Sequence, residues 1–125
     1  MFQRIAWLSL AGACGTVSRY CVYELAKKAN QAHLPIGTFA VNIIGSFLFG
    51  LIYVAAEHKF NFSAETRMIL LVGFVGTFTT FSTFAFDTAQ MLKAAQWLPA
   101  FGNVFGQIAL GLLALIAGVL VGRAL

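Results

Sequence analysis

The chain has 125 residues, of which 60% are hydrophobic and 10% charged, with a formal net charge of +4. A soluble domain is roughly half apolar and about a quarter charged, and a fold this small keeps much of its surface outside any core, so the surplus apolar surface belongs against lipid. The Lys and Arg residues are dispersed, with only Lys27 and Lys28 adjacent; this excludes a basic stripe for nucleic acid and leaves them as anchors at the membrane–water interface.

In chain order, four apolar spans are predicted. The first covers about Ile5–Ala26. Arg4 and the apolar run after it resemble a signal peptide, but the run reaches Ala26 without a convincing cleavage site and reads as a retained helix. Cys14 and Cys21 share this span about two helical turns apart, too far for a disulfide. A polar turn from Lys27 to His33 leads to the second span, about Pro35–Ala56, with Pro35 suited to a helix start. After the loop Glu57–Phe62, Ser63 with Glu65 and Thr66 reads as an N-cap and first turn. The third span runs from about Arg67 to Ala95. The fourth runs from about Pro99 to Val121 and closes at Arg123. Each is near the roughly 20 residues needed to cross a bilayer. Small residues recur at helical spacing, in the pairs Ala11/Gly15, Ser46/Gly50, Gly102/Gly106 and Gly118/Gly122, as expected where membrane helices pack closely. His33 and His58 fall in separate loops, so no zinc site is expected.

With four spans, both termini and the second-to-third loop share one side. That side carries Arg4, Lys59, Arg67 and Arg123 against Lys27, Lys28 and Lys93 opposite. So even a division gives the positive-inside rule little to act on. It is compatible with insertion in both orientations and antiparallel pairing, or with a weak bias that suffices.

Polar groups inside a membrane are expensive and therefore functional candidates. Arg19, deep in the first span, either snorkels to the interface or attracts anions. Asn42, between Val41 and Ile43, either donates to an anion or bonds a neighbouring helix. The third span is the most unusual. Gly73 and Gly76 precede five hydroxyl residues, Thr77, Thr79, Thr80, Ser82 and Thr83. Glycine and β-branched threonine weaken a helix, and a break is expected at Gly76–Thr79. Broken backbone at membrane depth is tolerated only where protein buries it or it lines a cavity, and its freed carbonyls and amides are natural ion ligands. Beyond the break, Phe78, Phe81 and Phe84 are predicted to share one helical face, with Thr80, Thr83 and Asp87 on the next. Ring edges carry partial positive charge and can contact an anion without trapping it, a compromise that conduction requires.

At these residues the sequence resembles the fluoride channel family known as Fluc or CrcB. The resemblance rests on Gly12-Ala13-Cys14-Gly15-Thr16-Val17-Ser18-Arg19-Tyr20, on Gly37-Thr38-Phe39-Ala40-Val41-Asn42-Ile43-Ile44-Gly45, and most specifically on Gly73-Phe74-Val75-Gly76-Thr77-Phe78-Thr79-Thr80-Phe81-Ser82-Thr83-Phe84. It covers essentially the whole chain. It implies an all-α membrane protein of four transmembrane helices per subunit with a broken third helix, paired as an antiparallel, dual-topology homodimer in the bacterial inner membrane. It further implies two fluoride pores lined by Asn42, Phe81, Ser82, Thr83 and Phe84, with Arg19 near the outer region. A structural sodium ion at the dimer interface would be held by the carbonyls of Gly76 and Thr79. The implied role is passive fluoride efflux and resistance to fluoride toxicity. Three departures are visible: Asp87 where relatives often carry Glu, Gly76-Thr77 where a Gly-Gly pair is commoner, and no hydroxyl residue from Val104 to Leu120.

The main alternative is a small dual-topology, proton-coupled exporter of cationic compounds. Such a protein needs a carboxylate deep in the first helix, where this chain has Arg19. A non-conducting assembly subunit has no need of hydroxyls and Asn42 at membrane depth. No nucleophile–base pair, metal cluster or phosphate loop suggests an enzyme.

Overall fold

The structure, a computed structural model, describes residues 1–29 and 35–125, so His33 and the rest of 30–34 in the first turn lie outside the described residues. Every regular element among the described residues is helical. Helix α1 spans Phe2–Ala29 and α2 spans Ile36–His58, so Lys27, Lys28 and His58 belong to last helical turns and not to loops. Ser63 caps α3 (Ala64–Met68) as expected, its hydroxyl accepting the Thr66 N–H at 3.1 Å. The third span continues through a π-helical segment, Ile69–Val75, into the short α4 (Gly76–Phe78). After two extended residues it resumes as α5 (Phe81–Lys93). Helix α6, Trp97–Ala124, starts two residues before the expected Pro99. Proline fits there because first-turn N–H groups have no helical partner.

Three of these segments, Ile36–His58, Ala64–Lys93 and Trp97–Ala124, are long and apolar enough to cross a membrane. The chain is thus a multi-pass membrane protein. Helix α1 is equally long but less apolar, because Arg19 and the nearby Gly12, Gly15, Thr16 and Ser18 interrupt its hydrophobic run.

The helices associate as two parallel pairs, each held by glycine. Along α1, Ala11 meets Gly73 and Gly15 meets Phe74 and Thr77, while the Arg19 guanidinium reaches the Thr79 carbonyl, all in ascending order on both segments. Along α2, Phe39 covers Gly106, Phe47 meets Gly118 and Leu51 meets Gly122. The first and third segments thus run parallel, as do the second and fourth. Arg4 Nε pairs with Glu65 Oε1 at 3.2 Å, and Lys59 Nζ donates to the Leu125 carbonyl. The N-terminus, the 59–63 turn and the C-terminus therefore share one end of the bundle.

Among the small-residue pairs, Ala11/Gly15, Ser46/Gly50 and Gly118/Gly122 do pack helix on helix; Gly102 faces open space. A Cβ on Gly118 would run into the Phe47 carbonyl, a backbone atom that cannot turn aside. Overpacking of this kind costs about 1–3 kcal/mol. Gly118→Ala should therefore lower the unfolding midpoint in detergent, while Gly102→Ala leaves it unchanged or raises it. Equal effects of the two would contradict this account of the α2–α6 seam.

Candidate functional site

The site forms where the third span breaks, and the break lies later than the sequence suggests. Gly76 is helical, with φ −63° and ψ −33°. The chain becomes extended at Thr79 (φ −84°, ψ 162°) and Thr80 (φ −152°, ψ 114°). Upstream, the Gly76 N–H donates to the Leu71 carbonyl, five residues back. This wide turning is characteristic of π-helices, which are frequent at functional sites. Thr80 then caps α5, its hydroxyl accepting the Thr83 N–H at 3.3 Å.

Asn42 of α2 holds the break. Its Oδ1 accepts the Thr80 N–H at 2.8 Å, and its Nδ2 donates to the Thr80 carbonyl at 3.1 Å. One side-chain amide thus satisfies both polar groups of one extended peptide residue, as a neighbouring β-strand would. Of the two uses open to Asn42, the structure takes the bond to a neighbouring helix. The approach needs Gly45 one turn on, where any Cβ would overlap the Thr79 methyl.

The network extends into α6, which the sequence reading left without a polar role. Asn42 Nδ2 also donates to Gln107 Oε1 at 2.7 Å, and Gln107 Nε2 donates to Asn103 Oδ1 at 2.9 Å. Asn103 Nδ2 donates to the Thr88 hydroxyl at 2.9 Å, which donates to the Phe84 carbonyl at 2.8 Å. Searching that helix for hydroxyls alone missed these two amides. Their i, i+4 spacing in an apolar span was the available signal.

Around the break four of the six expected pore residues divide between two openings, and Ser82 and Phe84 line neither. Asn42, Gly76, Thr79, Thr80 and Phe81 line a cleft of about 400 Å3. Arg19 and Thr83 line another of about 390 Å3, with Tyr23, Glu24 and Lys27. Thr80 joins the two sides, its hydroxyl 3.0 Å from that of Thr83 and 3.3 Å from that of Ser82. The Phe81 and Phe84 rings contact each other at 5.4 Å between centroids, and Phe81 is 79% exposed. Phe78 does not join that stripe. The extended residues interrupt the helical period after it, and it is buried against Phe74 at 6.2 Å. Thr83 and Asp87 do share a face, lining a further cavity of about 160 Å3. There Thr38 of α2 donates to Asp87 Oδ2 at 2.7 Å and lies 2.9 Å from the Tyr23 hydroxyl.

Arg19 is half-buried and its Nη1 lies 3.4 Å from the Thr79 carbonyl. Among the described residues no carboxylate comes within ion-pair distance of it, the ion pairs being Arg4–Glu65 and Lys27–Glu24. Its charge therefore acts on the adjoining cleft. The Gly76 carbonyl has lost its α-helical donor, because the N–H four residues on, that of Thr80, is taken by Asn42. Neutral carbonyls suit a hard cation, and Gly76 lines an exposed cleft where one could approach. Thr79 fits less well, since the guanidinium already sits on the same oxygen. No cluster of three or more His, Cys, Asp or Glu that could bind a metal occurs among the described residues.

Comparison with known proteins bears directly on this geometry. Residues 6–119 match the family described as CrcB-like protein, Camphor Resistance (CrcB). A protein of Nitrosococcus oceani, named fluoride-specific ion channel FluC, is 45% identical over 98% of this chain and 98% of its own. Proteins with the same name from Solidesulfovibrio magneticus and Magnetococcus marinus are 41% and 35% identical, over 98% and 97% of this chain and 98% of each relative.

Proposed function

The chain belongs to the CrcB family, and from that premise we propose how its broken third span carries fluoride across a membrane. The protein is a fluoride channel and not an enzyme. The observation that carries the reading is the break itself: a mid-membrane interruption flanked by Phe and hydroxyl side chains, beside an arginine with no carboxylate partner among the described residues, in a chain similar over nearly its full length to channels named for fluoride.

In the proposed pathway Arg19 raises the local concentration of anions at the cleft it shares with Thr83. Ser82 and Thr83 offer O–H donors, and the edges of Phe81 and Phe84 continue the path with weaker attraction. Asn42 lines the path and clamps its backbone. Fluoride holds water strongly, so these contacts must replace hydration without becoming a trap. The proposed role is passive efflux. Hydrogen fluoride crosses the bilayer uncharged and dissociates in the less acidic cytoplasm, and the channel returns the anion down its gradient, giving resistance to fluoride toxicity.

We further propose that α1 crosses the membrane as the fourth span, that two copies pair antiparallel, and that the site is the bacterial inner membrane. The nearly even distribution of basic residues supports dual insertion. The exposure of Phe81 and Gly76 at the cleft supports a second copy there. A sodium ion between the copies would be held by Gly76 and less favourably by Thr79, each copy supplying part of the oxygen shell. Its positive charge would favour anions nearby. The exporter alternative loses support, because Glu24 lies near the end of α1 and pairs with Lys27 at 2.7 Å.

Purified protein in liposomes, with the membrane potential shunted, should release fluoride to an external electrode while chloride is retained; no fluoride release would refute the channel. Phe81→Ile should slow release by roughly tenfold or more with the dimer intact on gel filtration, and an unchanged rate would remove the aromatic edges from the mechanism. C-terminal cysteine tags should react with an impermeant reagent from both sides of the membrane. Labelling from one side alone would sink dual insertion. Preparation without sodium at any stage should slow release, and an unaltered rate would dismiss the ion.

A further inference from the structure

Gln107 is a buried polar residue well inside the apolar helix α6, 8% exposed, and the fluoride pathway gives it no direct task. Its surroundings define what it does. The Thr80 N–H must meet an oxygen, and this fixes which way the Asn42 carboxamide is turned: Oδ1 toward that N–H, Nδ2 toward the Thr80 carbonyl and Gln107. A carboxamide nitrogen carries two hydrogens, and both are taken, by the Thr80 carbonyl and by Gln107 Oε1.

We infer that Gln107 is a positioning residue: by accepting one N–H of Asn42, it holds that carboxamide on the backbone of Thr80 and so fixes the Thr79–Thr80 break on which the channel reading rests. The hydrogen bonds run in one direction through the molecule. The Thr80 N–H donates to Asn42, Asn42 to Gln107, Gln107 to Asn103, Asn103 to Thr88, and Thr88 to the Phe84 carbonyl. Each donor is polarised by the bond it accepts, so the chain strengthens as a unit. Both of its ends lie on the segment that carries Phe81 and Phe84. It thus ties the start of α5 to its second turn through α2 and α6. With an apolar residue at 107, an Asn42 N–H and the buried Asn103 Oδ1 would both lose their partner, at a cost greatest for Asn103, which is shut off from water.

The test is Gln107→Met, which keeps length and bulk and removes both bonds, read in two ways on full-length protein. Hydrogen exchange of the Thr80 amide should accelerate by roughly tenfold or more, the order of one lost buried hydrogen bond, while amides around Gly118 in the same helix keep their protection. Fluoride release from liposomes should slow by a similar factor. Unchanged protection at Thr80 in a folded variant would overturn the inference. So would slowed release with Thr80 still protected, because Gln107 would then act on the ion directly. Should the methionine variant not fold, Gln107→Asn retains the amide but is one methylene too short to span Asn42 and Asn103, and it should raise exchange at Thr80. Unaltered protection there would equally count against the inference. Exchange is measured without fluoride, so a protein that carried none would refute the channel and leave this reading testable.

Discussion

A helix that breaks inside a bilayer frees backbone N–H and C=O groups with no water to take them, and each costs several kcal/mol if left unpaired. At Thr79–Thr80 this constraint is met by one side chain. The Asn42 carboxamide gives Thr80 an acceptor for its N–H and a donor for its C=O. Only Asn and Gln carry donor and acceptor side by side in the geometry of a peptide group. The remaining features follow from bringing α2 close enough for that exchange. Gly45 must lack a side chain to clear the Thr79 methyl, and Ser46 turns its hydroxyl back onto the Asn42 carbonyl at 2.7 Å instead of intruding.

The glycines elsewhere serve the same end at a distance. Lipid tails are as apolar as leucine, so membrane helices are held by close packing and hydrogen bonds. Gly50, Gly118 and Gly122 let α2 and α6 touch backbone to backbone, which keeps Gln107 within 2.7 Å of Asn42. Gly15 does the same for α1 against the third span, and Thr77 bonds across to the Gly12 carbonyl at 3.2 Å. The π-helical segment places Gly73 against Ala11 while its register delivers Thr79 to Arg19. The break is thus gripped from both sides, by α1 through Arg19 and by α2 through Asn42.

Much of this was legible in the sequence. Three of the expected spans were, because the bilayer sets a length that few soluble helices need. The existence of a break was also legible, from glycines and threonines in an apolar run. Its position was legible only in part. Local propensity pointed to Gly76–Thr79, which meets the observed break at Thr79 alone: Gly76 stays helical, and the chain opens where Asn42, 38 residues away in sequence, can replace the lost bonds. The Phe periodicity failed at Phe78 for the same reason, since a three-residue repeat shares a face only while the helix persists. Gln107 and Asn103 were overlooked although the rule that singled out Asn42 applies to them equally. The Tyr23–Thr38–Asp87 cluster joins three elements, and no spacing within any one of them announces it.

The arrangement also bears on why an anion should move and not stop. A fixed cation in low dielectric binds an anion strongly, and a path built of arginines would fill and block. Here the half-buried Arg19 stands to one side of the break and Asp87 beyond Thr83 in the next cavity. Between them the proposed pathway offers hydroxyls and ring edges, whose attraction is weak and repeated. Such groups can only replace hydration if they surround the ion. In one chain they do not, because Phe81 is 79% exposed and gives the path a single wall. The proposed second copy supplies the other wall. On that reading pairing is part of the conduction chemistry: a lone chain has the contacts but lacks the enclosure that excludes water from them.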